Sequence, residues 1–151
     1  MALTIDILHA WFRQFNADYF GDELPVPRIL LSKARTRLGT MSYRRVRKLL
    51  RWTYTDFTIR ISTYYECSER EYQETLLHEM IHYYIGVNKL KDTSAHGQIF
   101  RDMMNTINEK YGRHLTISHK CTNEQKSYFR KSDQFEDEQY LNHIFDSYRL
   151  Q

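Results

Sequence analysis

Leu8, Trp11, Phe12, Phe15 and Tyr19 fall at i, i+3, i+4, i+7 and i+11, the apolar stripe of an amphipathic helix. Gly21 offers a stop, and Pro25 and Pro27 forbid continuation. Short β-like runs follow over 29–32, 38–42 and 52–62. In the last, Phe57, Ile59 and Ile61 alternate with Thr58 and Arg60, the period of a half-buried strand. The segment 43–51 between two such runs reads as a hairpin connection or a strand end.

A second helix is predicted over about 69–87. Leu76, Leu77, Met80, Ile81, Tyr84 and Ile85 cover a wide arc of it, which makes it the central helix. A third begins near Ser94, a good N-cap, and stops at Gly112, with Phe100, Met103, Met104, Ile107 and Tyr111 as its apolar face. After an extended piece at 115–118 the tail reads helical again. There Asp133 and Glu136 form a capping-box-like pair ahead of Leu141, Ile144, Phe145 and Tyr148. With no internal repeat and no Ser/Gly-rich linker, the expected class is α+β: one domain, a small early sheet, and helices around and after it.

The chain is 151 residues long, enough to bury a single core. Twelve Tyr, eight Phe and two Trp exclude a disordered or low-complexity chain, and five Gly with two Pro argue against a turn-rich β-sandwich. No apolar run approaches the roughly 18 residues of a membrane helix. The first 18 residues are amphipathic and hold Asp6 and Arg13, so no signal peptide is expected. Cys67 and Cys121 make neither a disulfide framework nor a CxxC zinc pair, and both read as small core or loop residues. These features predict a cytoplasmic protein with no membrane partner.

The formal net charge of +3 understates one local feature. From 29 to 55 the charged residues are Lys33, Arg35, Arg37, Arg44, Arg45, Arg47, Lys48 and Arg51, with no acid among them. Acids gather at 66–74 and 133–138. Such segregation points either to an anionic partner for one face or to a solvated hairpin that happens to be basic.

The most informative segment is His78-Glu79-Met80-Ile81-His82, an HExxH in the middle of the central helix. Residues four apart differ by about 40° around the axis and about 6 Å along it, so both imidazoles can share one metal ion. Glu79, one residue on, reaches a metal-bound water without being a ligand. Zinc suits imidazole and leaves a fourth position for that water. Chance would place HExxH roughly 0.02 times in a chain of this composition, and the competing reading is a surface helix carrying these residues by composition. Two His and a Glu on a helix apolar almost all round are costly unless they serve a purpose.

A third ligand is offered by His96 at the start of the next helix, sharing a face with Phe100 and Met103 and followed by Gly97. Taken alone, His96 would read as a half-buried capping histidine. His9, His114, His119 and His143 sit on no stripe aimed at the same point, and Glu109 lies near the far end of the third helix. The longer HExxHxxGxxH layout fails, because Ile85 and Asn88 stand where it needs Gly and His.

Phe15-Asn16, Phe20-Gly21-Asp22-Glu23-Leu24-Pro25, Ile59-Arg60-Ile61-Ser62, the 76–82 segment around HExxH, and His96-Gly97-Gln98-Ile99-Phe100 together resemble the SprT-like metalloprotease family, which includes the eukaryotic Spartan proteases. The resemblance covers about 10–105. It implies a zincin-type helix packed with the sheet, one Zn²⁺ per chain held by His78, His82 and His96, and Glu79 as general base. It also implies a protein or peptide substrate and, from the eukaryotic relatives, action on proteins bound or crosslinked to DNA. Residues 1–118 would form the metalloprotease domain, and 119–151 a helical extension packed on it. One departure is plain: many members carry a four-cysteine zinc ribbon after the catalytic part, and here only Cys121 stands there. Any contact with DNA then falls to the basic stretch from Lys33 to Arg51, with Arg44, Arg45, Arg47, Lys48 and Arg51 as candidates. The rival readings are a nucleic-acid-binding module with a structural or inactive zinc site, and a zinc hydrolase acting on a non-protein amide.

Overall fold

Helix α1 (Ile5–Tyr19) forms on the stripe that predicts it and buries Leu8, Trp11, Phe12 and Phe15. The Thr4 hydroxyl caps it by accepting the Ile7 N–H at 3.2 Å. Past its end Gly21 and Asp22 both take positive φ, 63° and 58°, and turn the chain back on the helix. Asn16 then brackets Leu24: its amide donates to the Leu24 carbonyl at 2.9 Å and its oxygen accepts the Leu24 N–H at 3.1 Å. The Phe20–Pro25 segment, Phe-Gly-x-x-Leu-Pro, is thus latched onto α1 by a buried asparagine satisfied on both sides.

The computed structural model describes residues 1–118. After α1 come β1 (Arg28–Ser32), β2 (Gly39–Lys48), β3 (Arg51–Ser62), α2 (Glu69–Val87) and α3 (Gln98–Tyr111). The helical reading of 119–151, with His119, Cys121 and His143, falls outside the described residues. The strands pair in the order β1-β3-β2, β1 parallel and β2 antiparallel to β3. Helix α2 packs on β2 and β3 and is flanked by α1 and α3. Its Leu76, Leu77, Met80 and Ile81 share one core with Phe12, Phe15, Met41, Ile59, Ile61 and Phe100. This is the α+β class expected, with the sheet early and the central helix where the apolar arc puts it. Among the described residues no helix is long and apolar enough to cross a membrane.

Of the two readings of 43–51 the strand end holds for most of it, and one helix start differs. The run at 38–42 continues through the basic residues to Lys48, so 43–48 is strand, and the hairpin turn is Leu49-Leu50 alone. Leu49 takes φ 54°, a turn conformation that favours glycine or asparagine, and both leucines are almost fully exposed. The third helix begins at Gln98, not near Ser94; residues 94–97 form a turn closed by the Gly97 N–H on the Ser94 carbonyl. Its end at Gly112, φ 65°, is as predicted. The stretch after Gly112 carries no regular element up to residue 118, though Leu115 is buried.

A register shift in the β2–β3 pair decides which side chains meet α2. Ser42 pairs with Thr58 but Arg44 with Thr55, so Asp56 and Phe57 together oppose Tyr43, and Asp56 takes φ 55°. Side chains alternate along a strand, and a one-residue slip exchanges the faces. Beyond the bulge Tyr54 and Trp52, rather than Thr55 and Thr53, therefore join Phe57, Ile59 and Ile61 on the α2 side.

Candidate metal centre

Helix α2 opens on a capping box: the Ser68 hydroxyl accepts the Glu71 N–H at 3.2 Å, and the Glu71 carboxylate accepts the Ser68 N–H at 2.7 Å. From Thr75 to Tyr83 every residue is buried. Inside that run His78, Glu79 and His82 are 2%, 2% and 8% exposed, which polar groups tolerate only with partners.

The three candidate histidines meet at one point. The Nε2 atoms of His78, His82 and His96 lie 3.2 Å apart in all three pairs. Zn–N bonds of about 2.0–2.1 Å at tetrahedral angles would hold two ligand nitrogens about 3.3–3.4 Å apart, so the triangle fits such an ion. His78 turns this nitrogen inward because its Nδ1–H donates to the Thr116 carbonyl at 2.8 Å, which leaves Nε2 its lone pair. Among the described residues this is the one cluster of three or more His, Cys, Asp or Glu able to hold a metal.

Phe100 forms the apolar side of the centre. Its ring is fully buried, with its centroid 4.8, 4.5 and 4.8 Å from those of His78, His82 and His96. The sequence places Phe100 on the core face of α3 and on one face with His96; that its ring lies against all three imidazoles is added by the structure. His96 comes from the turn before α3, not from the helix, so a helical stripe is not what aims it. Gly97 makes room for Asp92 rather than for a metal: a Cβ there would run into the Asp92 carboxylate. His9 and His114 do not join the cluster, and Glu109 is exposed.

Glu79 faces the start of β2. A Cβ on Gly39 would sit 3.0 Å from its Cγ and 3.2 Å from its Oε1, so the strand backbone passes directly against the carboxylate arm. A cavity of about 580 Å³ opens beside His82, walled by Tyr43, Trp52, Tyr54, Ile85 and Leu90. The bulge at Asp56 brings Trp52 and Tyr54 there. An aspartate between β-formers, tolerant of positive φ, is the sequence signal for it.

The five candidate nucleic-acid residues divide between the faces of the hairpin. Arg45 and Arg47 pair with Tyr54 and Trp52 and lie on the cavity side; Arg44, Lys48 and Arg51 point the other way. The Arg45 guanidinium stacks 3.9 Å from the centre of the half-exposed Trp52 ring, with Arg47 at 5.9 Å. Arg44 pairs with Asp56 at 3.3 Å on the exposed face.

The class this defines is a small α+β domain whose central helix and the turn before α3 gather three imidazoles into a cluster able to hold a metal ion. The chain belongs to the SprT-like family, matching it over residues 8–121. It is similar to the DNA-dependent metalloprotease SPRTN of Homo sapiens, 31% identical over 125 residues, 82% of this chain and 24% of the relative. The DNA-dependent metalloprotease dvc-1 of Caenorhabditis elegans is 32% identical over 128 residues, 80% of this chain and 33% of the relative. SPRTN of Bos taurus is 45% identical over a shorter stretch of 58 residues, 38% of this chain and 12% of the relative. The chain thus spans a third or less of the length of these relatives.

Proposed function

We propose that this chain is a zinc-dependent metallopeptidase acting on proteins associated with DNA, with His78, His82 and His96 as ligands and Glu79 as general base. The observation that carries the reading is the regular 3.2 Å triangle of Nε2 atoms with Glu79 one residue from the first of them. Bound there, Zn²⁺ would polarise the peptide carbonyl and lower the pKa of water toward neutrality. Glu79 takes the proton of the attacking water and returns it to the leaving amine. His78 is kept in its metal-facing tautomer by Thr116. The cavity walled by Trp52 and Tyr54 gives a substrate side chain room beside His82.

Support for DNA as a partner comes from two sides. Relatives bear the name DNA-dependent metalloprotease, and the hairpin carries exposed Arg44, Arg47, Lys48 and Arg51 with Arg45 stacked on Trp52. A cytoplasmic setting belongs to the same proposal. The test compares zinc content, peptide-bond cleavage and DNA affinity in wild type and Glu79→Gln. The variant is expected to keep its zinc and to lose about 10²–10⁴-fold in turnover; undiminished turnover would sink the assignment. Retained zinc and DNA binding without cleavage by wild type would instead favour a nucleic-acid-binding module with a structural metal.

A further inference from the structure

Asp92 stands in the connection between α2 and α3, four residues ahead of His96. One carboxylate oxygen accepts the Thr93 N–H at 2.8 Å, and the other accepts the Phe100 N–H at 2.9 Å. Helix α3 needs this outside acceptor. Its N-cap is Gly97, which makes no side-chain capping bond, so the free N–H groups of the first turn have to find oxygen elsewhere. Burial pulls the Asp92 carboxyl pKa up, but hydrogen bonds from the backbone N–H groups of Phe100, Thr93 and Ile99 outweigh it and hold the group below its ordinary value. The carboxylate is therefore charged at neutral pH and complements the positive end of α3.

The two bonds close a loop from 92 to 100, and His96 sits in its middle. The far anchor is Phe100, whose ring touches all three imidazoles. The turn is also held from α3 by Arg101, whose Nε–H donates to the His96 carbonyl at 2.9 Å. Gly97 completes the arrangement, since any side chain there would strike Asp92 and the Thr93 hydroxyl. One carboxylate thus fixes the entry to the His96 turn, its exit, and the ring against which the imidazoles pack. We propose that Asp92 is the positioning residue that delivers His96 to the metal centre, and that Gly97 is glycine to admit its carboxylate. The inference rests on the reading of His78, His82 and His96 as the metal ligands.

The experiment measures zinc affinity by chelator competition, and the absorption spectrum of the Co²⁺-loaded protein, in wild type, Asp92→Ala, Asp92→Asn, Gly97→Ala and His96→Ala. Thermal melting of each metal-free protein runs beside them. Asp92→Ala is expected to bind zinc about 10–100-fold more weakly, the usual effect of losing a group that orients a ligand, with an altered cobalt spectrum. Asp92→Asn keeps an acceptor oxygen and should recover part of the loss. Gly97→Ala keeps the carboxylate but displaces it, and should resemble Asp92→Ala. Wild-type affinity and spectrum in Asp92→Ala would overturn the proposal. So would a loss that merely follows lower metal-free stability, with no recovery in Asp92→Asn. Unchanged affinity in His96→Ala would remove the three-histidine reading itself, and this proposal with it, a failure distinct from that of Asp92 alone.

Discussion

His78 donates its Nδ1–H to the backbone carbonyl of Thr116 at 2.8 Å, tying the middle of α2 to the irregular segment that follows α3. That segment is held in turn by Asn108, on α3. Its amide donates to the Leu115 carbonyl at 3.0 Å, and its oxygen accepts the Leu115 N–H at 2.8 Å. A chain of contacts thus runs from Asn108 through Leu115 and Thr116 to the ring of His78.

Asn108→Ala removes both bonds to Leu115 and leaves two backbone groups short of partners beside a buried leucine. The expected cost is about 1–3 kcal/mol in urea unfolding. Because the Thr116 carbonyl then loses its support, zinc affinity should also fall by about 10-fold, by the same logic that makes outer groups tune metal ligands. Chelator competition on the purified variant checks it; a stability loss with unchanged zinc affinity would mean that Thr116 is held by other contacts.

Stability at high pH has a named contributor. Burial pushes the Tyr83 phenol up to about 12, and its hydroxyl donates to the Pro25 carbonyl at 2.6 Å. In the unfolded chain the same phenol titrates near 10. Between these values the unfolded state gives up the proton and the folded state keeps it, so the contribution is full below about pH 10 and lost as pH rises to about 12. A shift of this size corresponds to on the order of 2 kcal/mol. Tyr83→Phe should be less stable than wild type at pH 8, and the difference should shrink between pH 10 and 12, measured by thermal melting at matched ionic strength. A constant difference across that window would assign the destabilisation to packing.

What the sequence showed and what it hid divide along one physical line. The stripe from Leu8 to Tyr19 and the four-residue step from His78 to His82 were legible because helical geometry ties each residue to near neighbours. Hidden features depend on residues far apart or on a single backbone choice. The extent of β2 was obscured because Arg44, Arg45, Arg47 and Lys48 break any apolar alternation while still pairing with β3. The bulge at Asp56 turns on one positive φ, yet it decides that Trp52 and Tyr54 flank the cavity beside His82. The start of α3 was misplaced because its cap comes from Asp92, eight residues before the bonded Phe100 N–H, rather than from the adjacent Ser94.

The hairpin makes a separable prediction about DNA. Arg47, Lys48 and Arg51 surround the exposed turn, whereas Arg45 is half-buried on Trp52. If the tip contacts phosphates, replacing Arg47, Lys48 and Arg51 by Gln should reduce the slope of log affinity against log salt by about 2–3 for duplex DNA, near 0.9 for each lost contact. Arg45→Gln should act differently, lowering hairpin stability by about 0.5–1 kcal/mol through the lost stacking. Fluorescence anisotropy at several salt concentrations gives the slopes. An unchanged slope in the triple variant would return the hairpin to the status of a solvated basic strand pair.

Gly39 offers the sharpest separation of metal binding from catalysis. Its φ lies outside the left-handed region, so a side chain there meets no backbone strain, and the constraint is one of space. An added methyl would stand 2.8 Å from Thr75 Cγ2, 3.0 Å from Glu79 Cγ and 3.2 Å from Glu79 Oε1. Thr75 and Glu79 are both buried on α2, so the methyl presses on both. Thr75 is branched at Cβ and bonded to the Glu71 carbonyl, which leaves rotation of the longer glutamate arm as the way to relieve the contact. None of His78, His82 or His96 is among the three atoms nearest that methyl. Gly39→Ala should therefore bind zinc as wild type does while losing about 10²-fold in peptide turnover, the scale expected when a catalytic group moves by about 1 Å. Zinc content and peptide cleavage measured on one preparation decide it. Loss of zinc would place the damage in the helix rather than in Glu79, and full turnover would show that the carboxylate works from a position the strand does not constrain.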